Sequence, residues 1–209
     1  MPFSVGEQVV HPQYGPGRVV GVEHRELVEG FEHYYVIELF IDRSTLFIPM
    51  CKMNELGVRS IMSQAKLRRV LKSLQEVPKR LSKDFKVRQE RIREKLATAR
   101  PNKVAEVVRD LTGRKRRSHL TKVDRRLLNR GRELLAAEIA AVNGVDLLYG
   151  LQTIDRALGD GGVRPAAPTQ PKTSAEPTGR QRLIDRLLRQ FSLDSDEVTK
   201  TSTRARLRH

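Results

Sequence analysis

The chain has 209 residues and a formal net charge of +15, with 31% charged residues; that length allows one domain or two small ones, and that charge points to a polyanionic partner. Cys51 is the single cysteine, which excludes an internal disulfide and suits a reducing compartment. No apolar run nears the roughly 18 residues of a membrane span, and MPFSVGEQVV lacks the basic-then-apolar pattern of a secretory leader, so a cytosolic protein is expected.

The charge is uneven along the chain. Residues 1–58 hold 4 Lys/Arg against 8 Asp/Glu, residues 59–158 hold 26 against 11, and residues 159–209 hold 10 against 6. An acidic front and a strongly basic middle predict two modules with different partners.

In the front, short apolar runs (QVV, GRVVGVE, HYYVIEL and TLFIPM) are rich in β-branched and aromatic residues and are separated by Gly or Pro. They predict about five strands over residues 1–55, with Gly30 at a hairpin tip. At that size a small closed or nearly closed barrel removes the exposed edges. The stretch HPQYGPGRV, residues 11–19, predicts a tight turn between the first two strands. Gly15 and Gly17 permit positive φ there, while Pro12 and Pro16 fix φ and withhold an N–H. That loop is either a turn alone or a turn that also meets a partner.

From residue 59 the period becomes helical. Leu67, Val70, Leu71 and Leu74 fall at i, i+3, i+4 and i+7. Leu81, Phe85, Ile92 and Leu96 share a second stripe. Val104, Val107, Val108 and Leu111 form a third, entered through Pro101 in its first turn. A fourth runs from Val123 to Val142, with Thr121 and Asp124 spaced as a capping box. A weaker fifth covers about 145–158. Five one-sided helices bury their stripes against each other, which predicts a compact helical domain over 59–158. Lys103, Arg109 and Arg114 to Arg117 are expected on its surface.

Basic residues crowd KRLSKDFKVRQERIREK and KVDRRLLNRGR. Lys83, Lys86, Arg125 and Arg126 lie off the apolar stripes. Such a run is either a solvated face or a phosphate-binding surface, and the charge excess of residues 59–158 favours the latter. Beyond it, residues 159–180 are rich in Gly, Pro, Ala and Thr without period, as in a disordered linker. Residues 181–209 begin with a short amphipathic basic helix, RQRLIDRLLRQF, and finish in a mobile basic end.

VGEQVVHPQYGPGRVVGVE resembles the opening of the RNA-polymerase-interacting domain shared by CarD regulators and the transcription-repair coupling factor, matching its pattern at Gly6, Val9, Val10, Pro12 and Gly15. NKVAEVVRDL, residues 102–111, resembles a string in the CarD helical domain. The phosphate-binding loop of the coupling factor's helicase part is absent from this sequence, so the resemblance is to a stand-alone CarD-like protein. It implies an α+β chain, with a Tudor-like β-barrel at the front and an all-helical domain behind. It further implies a nucleoid-associated monomer that grips the RNA polymerase β subunit with its barrel and promoter DNA with its helices, altering open-complex stability. Arg25 and Leu27 align with the family's polymerase contacts, and Phe47 stands where the family has a further Arg. The family's minor-groove Trp aligns with Leu81, which reads either as a wedge between base steps or as packing; Lys83 and Lys86 keep neighbouring basic positions, and Asp84 replaces one. A second function class, an RNA-binding or ribosome-associated module, also suits a small barrel with a basic tail.

No enzyme is expected: the sequence carries no nucleophile elbow, Gly-rich phosphate loop or paired-carboxylate motif. No cofactor or metal is expected either. The five histidines show no ligand spacing with one another or with Cys51, and His11, His24 and His33 read as surface residues.

Overall fold

A computed structural model describes residues 3–28 and 30–159. The expected linker and terminal helix, from residue 160 on, lie outside the described residues. The order is β1 (Gln8–His11), β2 (Gly15–Val28), β3 (Phe31–Leu39), β4 (Thr45–Pro49) and β5 (Arg59–Ser60), then α1 (Gln64–Gln75), α2 (Phe85–Ala97), α3 (Pro101–Arg117), α4 (Lys122–Asn143) and α5 (Leu147–Ala157). The chain is therefore α+β, as expected.

The strands form one antiparallel sheet in the order β4-β3-β2-β1-β5. Of the closed or nearly closed barrel that was expected, full closure does not occur. β4 and β5 end the sheet without pairing to each other, so it stays open. β5 has only two residues, and a very short edge strand offers little to a foreign strand. Alternation along β3 sends Tyr35, Ile37 and Leu39 into a core with Val9, Val19, Leu46 and Ile48, while Tyr34 and Val36 pack with Phe47 on the opposite face.

Among the described residues the five helices share one core, centred on α3, whose Val104, Val107, Val108 and Leu111 are buried as expected. Pro101 is at the first turn of α3, and α4 starts on the expected capping box of Thr121 and Asp124. α4 and α5 meet at a bend of 112°, and no single described helix is long and apolar enough to cross a membrane.

Four expectations fail for identifiable reasons. α3 is enclosed by neighbours, so Arg109 is 1% exposed rather than on the surface. α2 begins only at Phe85, because Asp84 caps it; Leu81 precedes the helix, and Phe85 points outward, 53% exposed. Gly15 does adopt positive φ (93°), but Gly17 does not; it is there because a Cβ would come within 2.6 Å of the Glu38 carbonyl oxygen. His11 is 8% exposed, not a surface residue.

The turn that begins at His11 joins the two lobes. The His11 Nδ1 accepts hydrogen bonds from the backbone N–H groups of Gln13 (3.1 Å) and Tyr14 (3.3 Å). A Cβ on Gly15 would meet Ile41 at 2.9 Å and Leu134 of α4 at 3.1 Å. Arg130 of α4 donates to the Gln13 carbonyl. Val10, His11 and Pro12 therefore face Ala99, Val104, Leu135 and Glu138 across a narrow cleft. The early break in the strand run makes the surface on which the helices rest.

A charged clasp completes that junction. Both terminal nitrogens of Arg59, in β5, donate to Glu138 of α4, at 2.7 and 2.8 Å, and Arg59 also donates to the Ala99 carbonyl. The Glu138 carboxylate, 4% exposed, accepts in addition from the Met62 backbone. A buried carboxylate so fully bonded fixes orientation through geometry, whatever its net energy.

Candidate functional site

The basic surface is built around Arg88. This residue and Gln89 occupy positions of the α2 stripe that continue to Ile92 and Leu96, and both are buried. Arg88 pairs with Asp124 in the first turn of α4: Nη2 to Oδ2 is 2.8 Å, and both side chains are at most 1% exposed. Arg88 Nη1 also donates to the carbonyls of Ser82 (2.8 Å) and Lys83 (3.2 Å). One guanidinium thus ties the 82–83 segment to the start of α4, and so gathers the two basic stretches, which are far apart in sequence.

Burial alone would raise the Asp124 carboxyl; the hydrogen bonds from Arg88 and Thr121, with the Arg88 charge, outweigh it and hold the group below the usual carboxylate range. Asp84, which replaces a basic residue of the family pattern, is occupied with the backbone. As N-cap of α2 it accepts from the N–H groups of Lys86 (2.8 Å) and Val87 (3.3 Å). Lys83, Lys86, Arg125 and Arg126 are exposed, and among the described residues none of their side chains forms an ion pair. Phe85 lies among them in sequence and projects outward, with Val87 37% and Val77 86% exposed nearby in the chain. Leu81, by contrast, is half-buried and packs against the helical core.

The segment leading into this surface is held from behind. Arg109 Nη1 donates to Glu76 (2.7 Å) and to the Ser73 carbonyl, its Nε donates to Asp110 (2.8 Å), and Asp110 accepts the Lys79 N–H at 2.9 Å. The chain between α1 and α2 is thereby pinned to α3.

The second surface is the outer face of the sheet. Phe47, 4% exposed, packs with Tyr34 and Val36 beneath half-buried Leu27 and Phe31. The Arg25 guanidinium lies over the Phe47 ring, 6.0 Å from its centroid, and its Nε meets Glu23 at 2.6 Å. A cation on the negative face of an aromatic ring is attracted by the ring quadrupole. Arg25 and Leu27 therefore share one face and are reachable; Phe47 lies underneath and supports them.

Residues 3–62 match the CarD-like/TRCF RID domain, and residues 69–149 match the CarD C-terminal domain. The chain belongs to the CarD family. A protein of Bacillus subtilis (strain 168) named "Putative transcription factor YdeB" is 27% identical over 143 residues, covering 68% of this chain and 94% of that protein. The RID domain is an RNA-polymerase-interacting domain, which supports RNA polymerase as partner and a transcription-factor class rather than an enzyme class.

In this CarD-family chain, Lys83, Lys86, Arg125 and Arg126 belong to one clasped region of the helical lobe, and Arg25, Leu27 and Phe47 to one face of the sheet lobe. Sequence reading missed Arg88, Asp124, Arg59, Glu138 and Phe85 as organising residues. Arg88 carried a signal: a cation on an apolar stripe, four residues before Ile92, needs a buried partner. The Arg59–Glu138 pair, 79 residues apart in sequence, carried none.

Proposed function

We propose that this protein binds the RNA polymerase β subunit through the Arg25–Leu27 face and lays the Lys83, Lys86, Arg125 and Arg126 surface on promoter DNA beside the melted region, changing the lifetime of the open complex. The observation that carries the DNA half is the Arg88–Asp124 clasp: it joins two basic stretches in which Lys83, Lys86, Arg125 and Arg126 are exposed and have no acidic partner among the described residues. Phosphate contacts of this kind position a protein without reading sequence.

Phe85, rather than Leu81, is the apolar group we assign to the DNA side. An exposed aromatic ring among cations suits insertion at a destacked base step, whereas Leu81 is occupied by core packing. The junction at Arg59, Glu138 and His11 links the two surfaces. Polymerase binding would then hold the basic surface near DNA at high local concentration, so weak contacts suffice. A factor shifts the opening equilibrium only by its differential affinity for the open state.

The deciding experiment measures open-complex lifetime on one promoter with the wild type, with Arg25→Glu, and with Lys83→Ala/Arg126→Ala. The reading expects Arg25→Glu to abolish polymerase retention while leaving binding to free DNA intact, and the double variant to do the reverse; both change the lifetime toward that of polymerase alone. Unchanged lifetimes with either variant would reject it.

A further inference from the structure

The β2–β3 hairpin brings two histidines directly opposite each other, and we propose that His24, His33 and Glu32 form a site for a divalent transition ion of the zinc class. His24 and His33 are nine residues apart in sequence, a spacing that suggests nothing by itself. They are direct partners across the antiparallel ladder, with ring centroids 4.8 Å apart and planes at 86°. The Glu32 carboxylate lies 3.5 Å from the Nε2 of His24. One ligand atom from each of the three residues lies within 4.8 Å of the other two. In a tetrahedral zinc site with bonds near 2.1 Å, ligand atoms stand about 3.4 Å apart. All three side chains are exposed, so rotation about their own bonds closes that difference without moving the strands.

The donor set selects the ion. Two imidazoles and one carboxylate suit Zn²⁺, Ni²⁺ or Cu²⁺, while Mg²⁺ and Ca²⁺ prefer all-oxygen shells. Three protein ligands leave an open position for water. The nearest cation along β2, Arg25, is paired with Glu23 at 2.6 Å, which lessens its repulsion of an incoming ion.

The position gives the site a consequence. His24↔His33 is the last regular pair before the ladder slips; the next pair is Val28↔Phe31. An ion bridging the two strands there clamps the base of the hairpin tip, next to Arg25 and Leu27. The metal site does not depend on those two residues contacting polymerase, and its test does not involve polymerase.

The test titrates untagged, full-length protein with Zn²⁺ in competition with a chromophoric chelator, and with Co²⁺ read by its visible absorption. The expected result is one ion per chain at micromolar concentration, with a tetrahedral Co²⁺ band. His24→Ala and His33→Ala should each weaken binding by on the order of tenfold or more, since even losing a supporting neighbour of a ligand costs that much, and Glu32→Gln by less. Thermal melts of the His24→Ala/His33→Ala variant should match the metal-free wild type and no longer rise with added Zn²⁺. Absence of one-to-one binding at these concentrations, or wild-type binding by the double variant, would overturn the proposal.

Discussion

Arg88 and Lys86 lie two residues apart on α2, and Asp124 and Arg125 are adjacent on α4, yet these neighbours have opposite roles. Arg88 and Asp124 are sealed inside, their charges spent on each other and on two backbone carbonyls. Lys86 and Arg125 face solvent with no acidic partner among the described residues. A count of basic residues treats Arg88, Lys86 and Arg125 alike. The difference teaches that some of the basic residues build the helical lobe, each beside its own buried acid, and only the others are available to a polyanion.

The sharpest way to break that distinction is Arg88→Ala. It leaves Asp124 buried without its counter-ion, which costs about 3–5 kcal/mol. Urea unfolding should show that loss, together with a steep fall in DNA affinity as the 82–83 segment is released. Replacing both partners, as Arg88→Met/Asp124→Leu, should recover most of the stability, because no charge is then left unpaired. It should not recover DNA affinity, since the carbonyl anchors remain lost. Equal recovery of both would mean that the clasp does not position the basic surface.

Protonation tests the other sealed region. Burial lowers the His11 pKa from its ordinary 6.5 to about 4. Above pH 6.5 the folded and unfolded chains both hold His11 neutral, and its contribution to stability is complete. Between pH 6.5 and about 4 the unfolded chain takes up a proton that the folded chain refuses, so stability falls as pH falls, and the loss levels off below about 4. The full loss is on the order of 3 kcal/mol. His11→Asn keeps an acceptor for the Gln13 and Tyr14 N–H groups and should flatten this part of the curve of stability against pH. A variant curve parallel to the wild type's from pH 6.5 to 4 would remove His11 as its source.

Leu81 and Phe85 separate the same two roles for apolar residues. Leu81 is half-buried against the helical core, so Leu81→Ala should cost about 2 kcal/mol, near the lower end for core truncations. Phe85 is 53% exposed, so Phe85→Ala should change stability by less than about 0.5 kcal/mol. Open-complex lifetime should respond the other way, strongly to Phe85→Ala and weakly to a Leu81 variant that is still folded. Lifetimes that follow Leu81 alone would return the wedge to the position that the family alignment gives it.

What the sequence reveals follows from the range of each interaction. Strand alternation, the helical stripes apart from the start of α2, Pro101 at the first turn of α3 and the Thr121–Asp124 box depend on neighbours a few residues apart, and these are legible. Whether a sheet closes depends on edges that meet only in space, and the open β4 and β5 edges could not be read. Burial of Arg109 follows from α3 being surrounded, a property of its neighbours rather than of its own pattern. The candidate DNA residues were legible as cations off a stripe; that two stretches form one surface required Arg88, whose partner lies 36 residues away.

The smallest expected change in stability is also the most direct test of the exposed set. Lys83→Ala, Lys86→Ala, Arg125→Ala and Arg126→Ala remove surface cations without ion-pair partners among the described residues, so each should alter unfolding free energy by less than about 0.5 kcal/mol. Their effect should appear in the salt dependence of DNA binding instead. Each phosphate contact releases condensed counter-ions, so losing one should reduce the slope of log affinity against log salt by about 0.9. The reduction should be the same on unrelated duplexes, because a phosphate contact carries no sequence information. Arg88→Met/Asp124→Leu supplies the contrast: it removes none of the four cations but loosens their placement, so several contacts should weaken together and the slope should drop by more than any single surface variant achieves. Four unchanged slopes would make this face merely solvated. A single-variant slope equal to that of the clasp variant would mean that the cations act one by one, without the geometry that Arg88 imposes.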